Sequence, residues 1–428
     1  MKIMKKCILP LLAVFPFAAH AAECPELRSE NTLHEIIEIG LCRNPTTKMG
    51  YLSLETSRLS KNSAYSKYLP SISANAGASA SSRDNFDAWG KSASISASYL
   101  IFDFGKRYSE LSRLAAIWRA TGFDYEESVQ NYVYSVIGAY YGLLTSDAEL
   151  KANAEVFRVA GDAKTTADKK FKAGAVAKAD VLKAETTLAS RKTDLERSKG
   201  NREIASAKLL SLLSLPQGTK IKIKDMPAEF GGSSEAEDIE ELLETARKQR
   251  PDLMSAAASV DAAWHARNIA FMQHLPTINA SGKIIYDLDA NTKSSEIGVS
   301  VSVPLFAGFA NVYNDRIAML NYERAKESER AKRDSVALDV WTAFENYKTA
   351  REVLESTNAL LKSAKESEKV VAGMYKVGRS TMLDWQSSQA DLASAQRQNA
   401  AAKYDLFIKR AALAMAVGDL RDDGQGIE

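Results

Sequence analysis

Two stretches of the chain alternate apolar and polar residues with a strict period of two. In the first, Ile72, Ala74, Ala76, Ala78 and Ala80 interleave with Ser71, Ser73, Asn75, Gly77, Ser79 and Ser81. Further on, Ala93, Ile95, Ala97 and Tyr99 interleave with Ser92, Ser94, Ser96 and Ser98. The second stretch repeats the scheme with Ile278, Ala280, Gly282, Ile284 and Tyr286, then Ile297, Val299, Val301 and Val303. Successive side chains of a strand point to opposite faces, so each segment predicts a strand with one apolar and one polar face. Four strands are expected, at about 70–82, 91–101, 276–287 and 295–304.

Between and after these strands the pattern changes to long helical tracts. No proline interrupts the chain from Pro70 to Pro216 or after Pro304, and both tracts are rich in Ala, Leu, Lys, Glu, Ser and Gln. Those residues suit helices that run without a break. Long helices are expected over 106–172 and 310–376, each roughly 100 Å at about 1.5 Å per residue. Each meets a glycine-centred turn, near Gly174 or Gly378, and returns through a shorter helix at about 178–213 or 382–417. Two further helices, at about 31–67 and 237–273, lead into the strands.

The two halves are copies of one unit. Arg43-Asn44-Pro45 recurs as Gln249-Arg250-Pro251, and Tyr68-Leu69-Pro70-Ser71-Ile72 recurs as His274-Leu275-Pro276-Thr277-Ile278. Phe171-Lys172-Ala173-Gly174 pairs with Tyr375-Lys376-Val377-Gly378, Asp180 with Asp384, and Leu188-Ala189-Ser190 with Leu392-Ala393-Ser394. An offset of 206 before the strands that becomes 204 after them, held over so many positions, marks an internal repeat. The organisation expected is a leader 1–21, a first repeat 22–215, a linker 216–235, a second repeat 236–420 and a short tail 421–428.

The leader gives the strands their setting. Lys2, Lys5 and Lys6 precede an apolar run from Ile8 to Ala19, and Ala19-His20-Ala21 is a small-residue cleavage pattern. That is a secretory signal peptide. No later stretch reaches eighteen apolar residues, so no transmembrane helix is expected. In an exported chain, strands of this length read as β-barrel strands, apolar towards lipid and polar towards the lumen. A soluble half-buried sheet is the alternative. Phe86, Trp89, Tyr99, Phe102, Phe104, Tyr286, Phe306 and Phe309 lie near the strand ends, where aromatic girdles meet the membrane surface. Four strands cannot close a barrel, and an open edge is intolerable in lipid. The chain must oligomerise, as an eight-stranded dimer or a twelve-stranded trimer.

Charge and chemistry narrow the function further. Of 428 residues, 56 are basic and 54 acidic, so there is no basic excess for nucleic acid. His34, His265 and His274 stand singly, without the spacing of a zinc site. The Gly105 and Gly308 segments lack the Gly-Lys-Ser/Thr of a phosphate loop. No nucleophile–base pair is legible, so no catalytic residue, no metal site and no cofactor is expected. A soluble periplasmic coiled-coil adaptor or structural protein is the rival class; it shares the helices but not four lipid-facing strands.

Taken in order, the motifs resemble the TolC-like outer-membrane efflux family. They are the Asn-Pro near the mature start, the repeated Leu-Pro-x-Ile strand entry and the strand exits Leu100-Ile101-Phe102-Asp103-Phe104-Gly105 and Val303-Pro304-Leu305-Phe306-Ala307-Gly308. The Gly174 and Gly378 turns, Arg250-Pro251-Asp252-Leu253 and Ala416-Val417-Gly418-Asp419-Leu420 complete the set. The resemblance implies a mixed α/β membrane protein: a homotrimer with a twelve-stranded barrel in outer-membrane lipid, four strands per chain, continued by a long periplasmic α-helical barrel. It implies a passive exit duct for efflux or type I secretion. The partners implied are a periplasmic adaptor and an inner-membrane transporter of ABC or RND type.

The same resemblance places a gate at the periplasmic end. Tyr375 matches the family's gate tyrosine, Asp384 its aspartate ring and Asp180 the aspartate of the first unit. Arg379 lies one residue before the expected arginine, where Ser380 stands, and Ser387 occupies the place of a second aspartate. Gly174 and Gly378 mark the adaptor-contact tips. Outside the leader the only cysteines are Cys24 and Cys42. An even number in an oxidising compartment favours a disulfide between them. The alternative is a lipidated Cys24, whose signal calls for a small residue where Glu23 stands.

Overall fold

A computed structural model describes residues 24–83, 86–225 and 238–420, with the side chains of 81–89 left aside. The leader 1–21, the tail 421–428 and residues 226–235 of the linker lie outside the described residues, as do the side chains of Phe86 and Trp89.

Helices α1 (Leu33–Arg43) and α2 (Pro45–Ala64), with a 3-10 turn at Tyr65–Tyr68, lead into strands β1 (Ser71–Arg83) and β2 (Phe86–Phe102). A long α3 (Lys106–Lys172) descends and α4 (Lys178–Leu212) returns. The second repeat follows the same course. It comprises α5 (Ile239–Gln249), α6 (Pro251–Met272), β3 (Thr277–Asp287), β4 (Thr292–Ser302), α7 (Ala310–Lys376) and α8 (Met382–Val417).

One expectation is corrected here. The entry helices expected as single pieces at about 31–67 and 237–273 are each broken in two, at Asn44-Pro45 and Arg250-Pro251. The residue before a proline is pushed out of the helical region. Asn44 (φ −69°, ψ 125°) and Arg250 (φ −68°, ψ 121°) are both extended. Each proline then opens the next helix at its first position, where its missing N–H costs nothing.

The break residues also clamp the returning helices. Asn44 accepts from the N–H groups of Thr46 (2.7 Å) and Thr47 (3.3 Å), and its side-chain amide donates to the Leu212 carbonyl at 3.1 Å. In the second repeat Arg250 donates to the Ala416 carbonyl at 3.1 Å and holds Asp252 with two bonds of 2.7 and 3.0 Å. Lys332 reaches the same carboxylate at 3.1 Å. Different side chains thus perform one task at equivalent positions.

The sheet is antiparallel in the order β1-β2-β3-β4. The pairing sets Ile72 opposite Ala97, Ile95 opposite Ile284, and Gly282 opposite Ile297. Alternation then gathers the apolar residues of all four strands on one face. That face is bare: Ile297 is 91% exposed and Ile72 73%. The other face carries serines, with Ser71 and Ser73 hydrogen-bonded across to Ser98 and Ser96 at 2.6 and 2.8 Å. A naked apolar face this wide is what a lipid-facing sheet presents, not a half-buried soluble one. No helix among the described residues is long and apolar enough to cross a membrane.

The helices pack side by side. α3 lies between α2 and α4 on one flank and α6 and α8 on the other, and α7 packs beyond α6 and α8. The main core sits midway, where Ile36, Ile37 and Ile39 of α1 meet Ile137, Tyr140 and Tyr141 of α3, Leu209 and Leu210 of α4, and Tyr404 of α8. A disulfide joins Cys24 to Cys42, with Cα atoms 5.7 Å apart, tying the segment before α1 to its last turn.

Candidate periplasmic gate

The two helical turns farthest from the sheet have the same backbone design. At the first, Gly174 (φ +72°) follows Ala173; its N–H bonds the Phe171 carbonyl and the Ala175 N–H bonds Lys170, both at 2.9 Å. At the second, Gly378 (φ +77°) bonds Tyr375 at 3.2 Å and the Arg379 N–H bonds Met374 at 2.9 Å. These are helix ends closed by a left-handed residue, which glycine adopts without penalty. A Cβ at either position would meet nothing within 4 Å, so dihedral preference rather than space requires glycine.

The side chains at the two turns differ. Tyr375, in the last turn of α7, is 4% exposed, whereas Phe171 at the equivalent place is 43% exposed. The Tyr375 ring stacks on Trp385 of α8, with centroids 5.0 Å apart and planes 27° apart. Lys170 of α3 places its ammonium 4.0 Å from the centre of the Tyr375 ring and donates to the Tyr375 carbonyl at 3.1 Å. Ala163, Ala167 and Ala184 form the floor beneath, and Met382 closes the cluster. Burial, together with the negative charge of nearby Asp180, pushes the Tyr375 hydroxyl above its ordinary pKa. The ring therefore stays neutral at physiological pH.

The aspartates also have unequal surroundings. Asp384 is the third residue of α8 and completes a capping box with Thr381. Its carboxylate accepts from the Thr381 hydroxyl (2.6 Å), the Thr381 N–H (2.9 Å) and the Ser380 hydroxyl (3.1 Å). Those bonds hold its carboxyl below the usual range. Asp180 stands at the same position of α4, but the cap there is Ala177, whose side chain bonds nothing. Asp180 is thus left to act on Tyr375 through its charge. Arg379 is exposed and makes no ion pair among the described residues.

The structure therefore gathers Tyr375 and Asp180 around one cluster, sets Asp384 at its edge as a cap, and leaves Arg379 outside. Sequence reasoning missed Lys170, Met382 and Trp385. The legible signal was the apolar spacing of Met382 and Trp385 at the start of α8, opposite Tyr375 across the turn.

Fold and tips together define a class: a channel subunit that presents barrel strands at one end and helical hairpins, closed by glycine turns, at the other. The sequence profile described as Outer membrane efflux protein matches residues 36–214 and 242–419. The chain is 23% identical over 401 residues to Protein CyaE of Bordetella pertussis, covering 91% of this chain and 84% of the relative. It is 23% identical over 453 residues to Outer membrane protein TolC of Escherichia coli, covering 98% and 87%. The solved outer membrane protein VceC of Vibrio cholerae superposes with a TM-score of 0.79 at 19% identity, over 90% of this chain and 96% of that one.

The chain belongs to the outer membrane efflux protein family. It is an outer-membrane exit duct for efflux or secretion, with its helices extending into the periplasm.

Proposed function

We propose that three copies of this chain form a passive duct, with twelve strands in the outer membrane and twelve helical staves below. The observation that carries the reading is the pair of open flanks. The sheet ends at unpaired β1 and β4, and the helical layer ends at α7 on one side and α2 with α4 on the other. A barrel in lipid allows no free edge, so β4 of one copy must meet β1 of the next. Head-to-tail contacts of this kind build a closed ring.

The duct does no chemistry of its own. A periplasmic adaptor reaches it at the Gly174 and Gly378 turns and couples it to an inner-membrane transporter of ABC or RND type. At rest the tips constrict. Three copies of Tyr375, Asp180 and Asp384 converge there, with Arg379 exposed beside them, and adaptor contact favours the splayed state by differential affinity. The test is the double variant Tyr375→Phe with Asp384→Ala in planar bilayers. Raised resting conductance and weaker cation block from the periplasmic side are expected. Wild-type conductance and block would place the gate elsewhere.

A further inference from the structure

The face of the sheet that meets lipid is not uniformly apolar. Residues directly opposite each other on paired strands share a face, so the register sorts the side chains. Ala78 stands opposite Lys91, Ala93 opposite Tyr286, and Tyr286 opposite Lys293. Both lysines therefore project from the face that carries Ile72, Ile95, Ile284 and Ile297. The acidic strand residues Asp287 and Glu296 fall on the other face, where Glu296 stands opposite Lys283. Among its described side chains, the lipid-facing face carries two cations and no anion.

Both lysines lie at the end of the sheet away from the helices, and so at the extracellular side. From the Ile278 row to the Tyr286 row the face spans about 27 Å of strand, at about 3.4 Å per residue. With the tilt of barrel strands, that covers most of an apolar band about 25 Å tall. The lysines thus stand where the band gives way to headgroups. Both are exposed and make no ion pair among the described residues. Asp289 of the β3–β4 turn accepts the Lys91 backbone N–H at 2.7 Å, in line with the strand ladder. Below the lysines runs a shallow trough of about 330 Å³, floored by Ala74, Ala76 and Ala93 and walled by Ile95, Ile284 and Tyr286.

We propose that this corner of the sheet docks a phosphorylated glycolipid of the outer leaflet, with an acyl chain in the alanine trough and its phosphates on Lys91 and Lys293. Charge complementarity identifies the occupant: two unpaired ammonium groups at headgroup level call for anions, and phosphate makes strong charge-assisted bonds. Lysine stems can lie along apolar surface while their heads reach the phosphate layer. Two strands across and two residues along, the lysine Cα atoms are about 12 Å apart. That span suits a headgroup with two separated phosphates better than a single phosphodiester. A zwitterionic phospholipid would also bring an ammonium of its own. The site lies within one chain's sheet, so it does not depend on how many copies close the barrel.

The test titrates the full-length protein, delipidated in detergent, with three probes: bisphosphorylated lipid A, lipid A stripped of phosphate, and phosphatidylethanolamine. Native mass spectrometry reads the binding. Bisphosphorylated lipid A should bind about tenfold or more tightly than either other lipid, as two lysines at a membrane surface would give. Lys91→Gln with Lys293→Gln should bring it down to the phosphate-free level while circular dichroism stays that of the wild type. Ala76→Phe, which fills the trough, should weaken binding with both lysines in place. Equal binding of the phosphate-free lipid or of phosphatidylethanolamine, or undiminished binding by the lysine variant, would overturn the site. Undiminished binding by Ala76→Phe would overturn the acyl seat.

Discussion

Tyr375 lies flat against Trp385, their ring centres 5.0 Å apart, across the turn that joins α7 to α8. The stack fastens the end of one hairpin, and Lys170 of α3 caps the outer face of Tyr375 from the other hairpin. Trp385 also donates its indole N–H to Glu368 at 3.2 Å. Trp385→Ala should therefore free both hairpin ends, at a local cost of about 3 kcal/mol for a buried tryptophan. Hydrogen exchange should quicken around 371–385 while amides of the sheet stay protected. Tyr375→Phe keeps the stack and should leave exchange near wild type.

Lowering the pH should loosen the start of α8. The Asp384 carboxyl is held low in the folded protein by its bonds to Thr381 and Ser380. Its contribution is complete above the unfolded value of about 3.9 and is lost as pH falls through the lower folded value. Asp384→Asn should remove that acid dependence. Exchange measured near 381–385 between neutral pH and pH 3 decides the point, and equal acid sensitivity in the variant would refute it.

Gly174→Ala and Gly378→Ala should each destabilise their turn by about 1 kcal/mol, because only the left-handed dihedral is disturbed. Limited proteolysis at the tips should rise in both variants. The heat resistance of the whole assembly should hardly change, since a Cβ at either position meets nothing within 4 Å.

Arg250 and Asp252 form the buried pair where the second repeat bends. Burial alone would raise the Asp252 carboxyl, but the hydrogen bonds and charges of Arg250 and Lys332 outweigh it and hold the group low. Arg250→Met leaves that carboxylate without its main partner and frees the Ala416 carbonyl. A loss of about 3 kcal/mol or more is expected. Arg250→Met together with Asp252→Leu should recover much of it. Thermal unfolding of the two variants distinguishes a lost pair from a general packing defect.

Reducing the Cys24–Cys42 bond should lower stability without closing the channel. The cysteines are 18 positions apart, and a loop of that size contributes about 3 kcal/mol in the chain-entropy model. Non-reducing peptide mapping should recover the linked pair; a diacylglycerol thioether on Cys24 would show the lipid anchor instead.

Much of the fold was legible in the chain itself. Period-two alternation placed the strands because a strand turns its side chains to opposite faces whatever lies around it. Absence of proline allowed the long helices, and the repeat set their pairing, because these are properties of local backbone and spacing. The glycine turns were legible for the same reason. Asn44-Pro45 and Arg250-Pro251 break helices that periodicity runs through; that signal is local too, because a proline acts on its predecessor's backbone, but the hydrophobic pattern does not carry it. Tertiary structure decided the rest. Tyr375 is buried while Phe171 is exposed, although both end equivalent helices. The difference lies in what faces each ring: Trp385, Lys170 and a floor of alanines meet only when α3, α4, α7 and α8 are assembled. Asp384 and Asp180 are likewise one letter at one repeat position. Thr381 turns the first into a cap, and Ala177 leaves the second to act on its neighbour's ring.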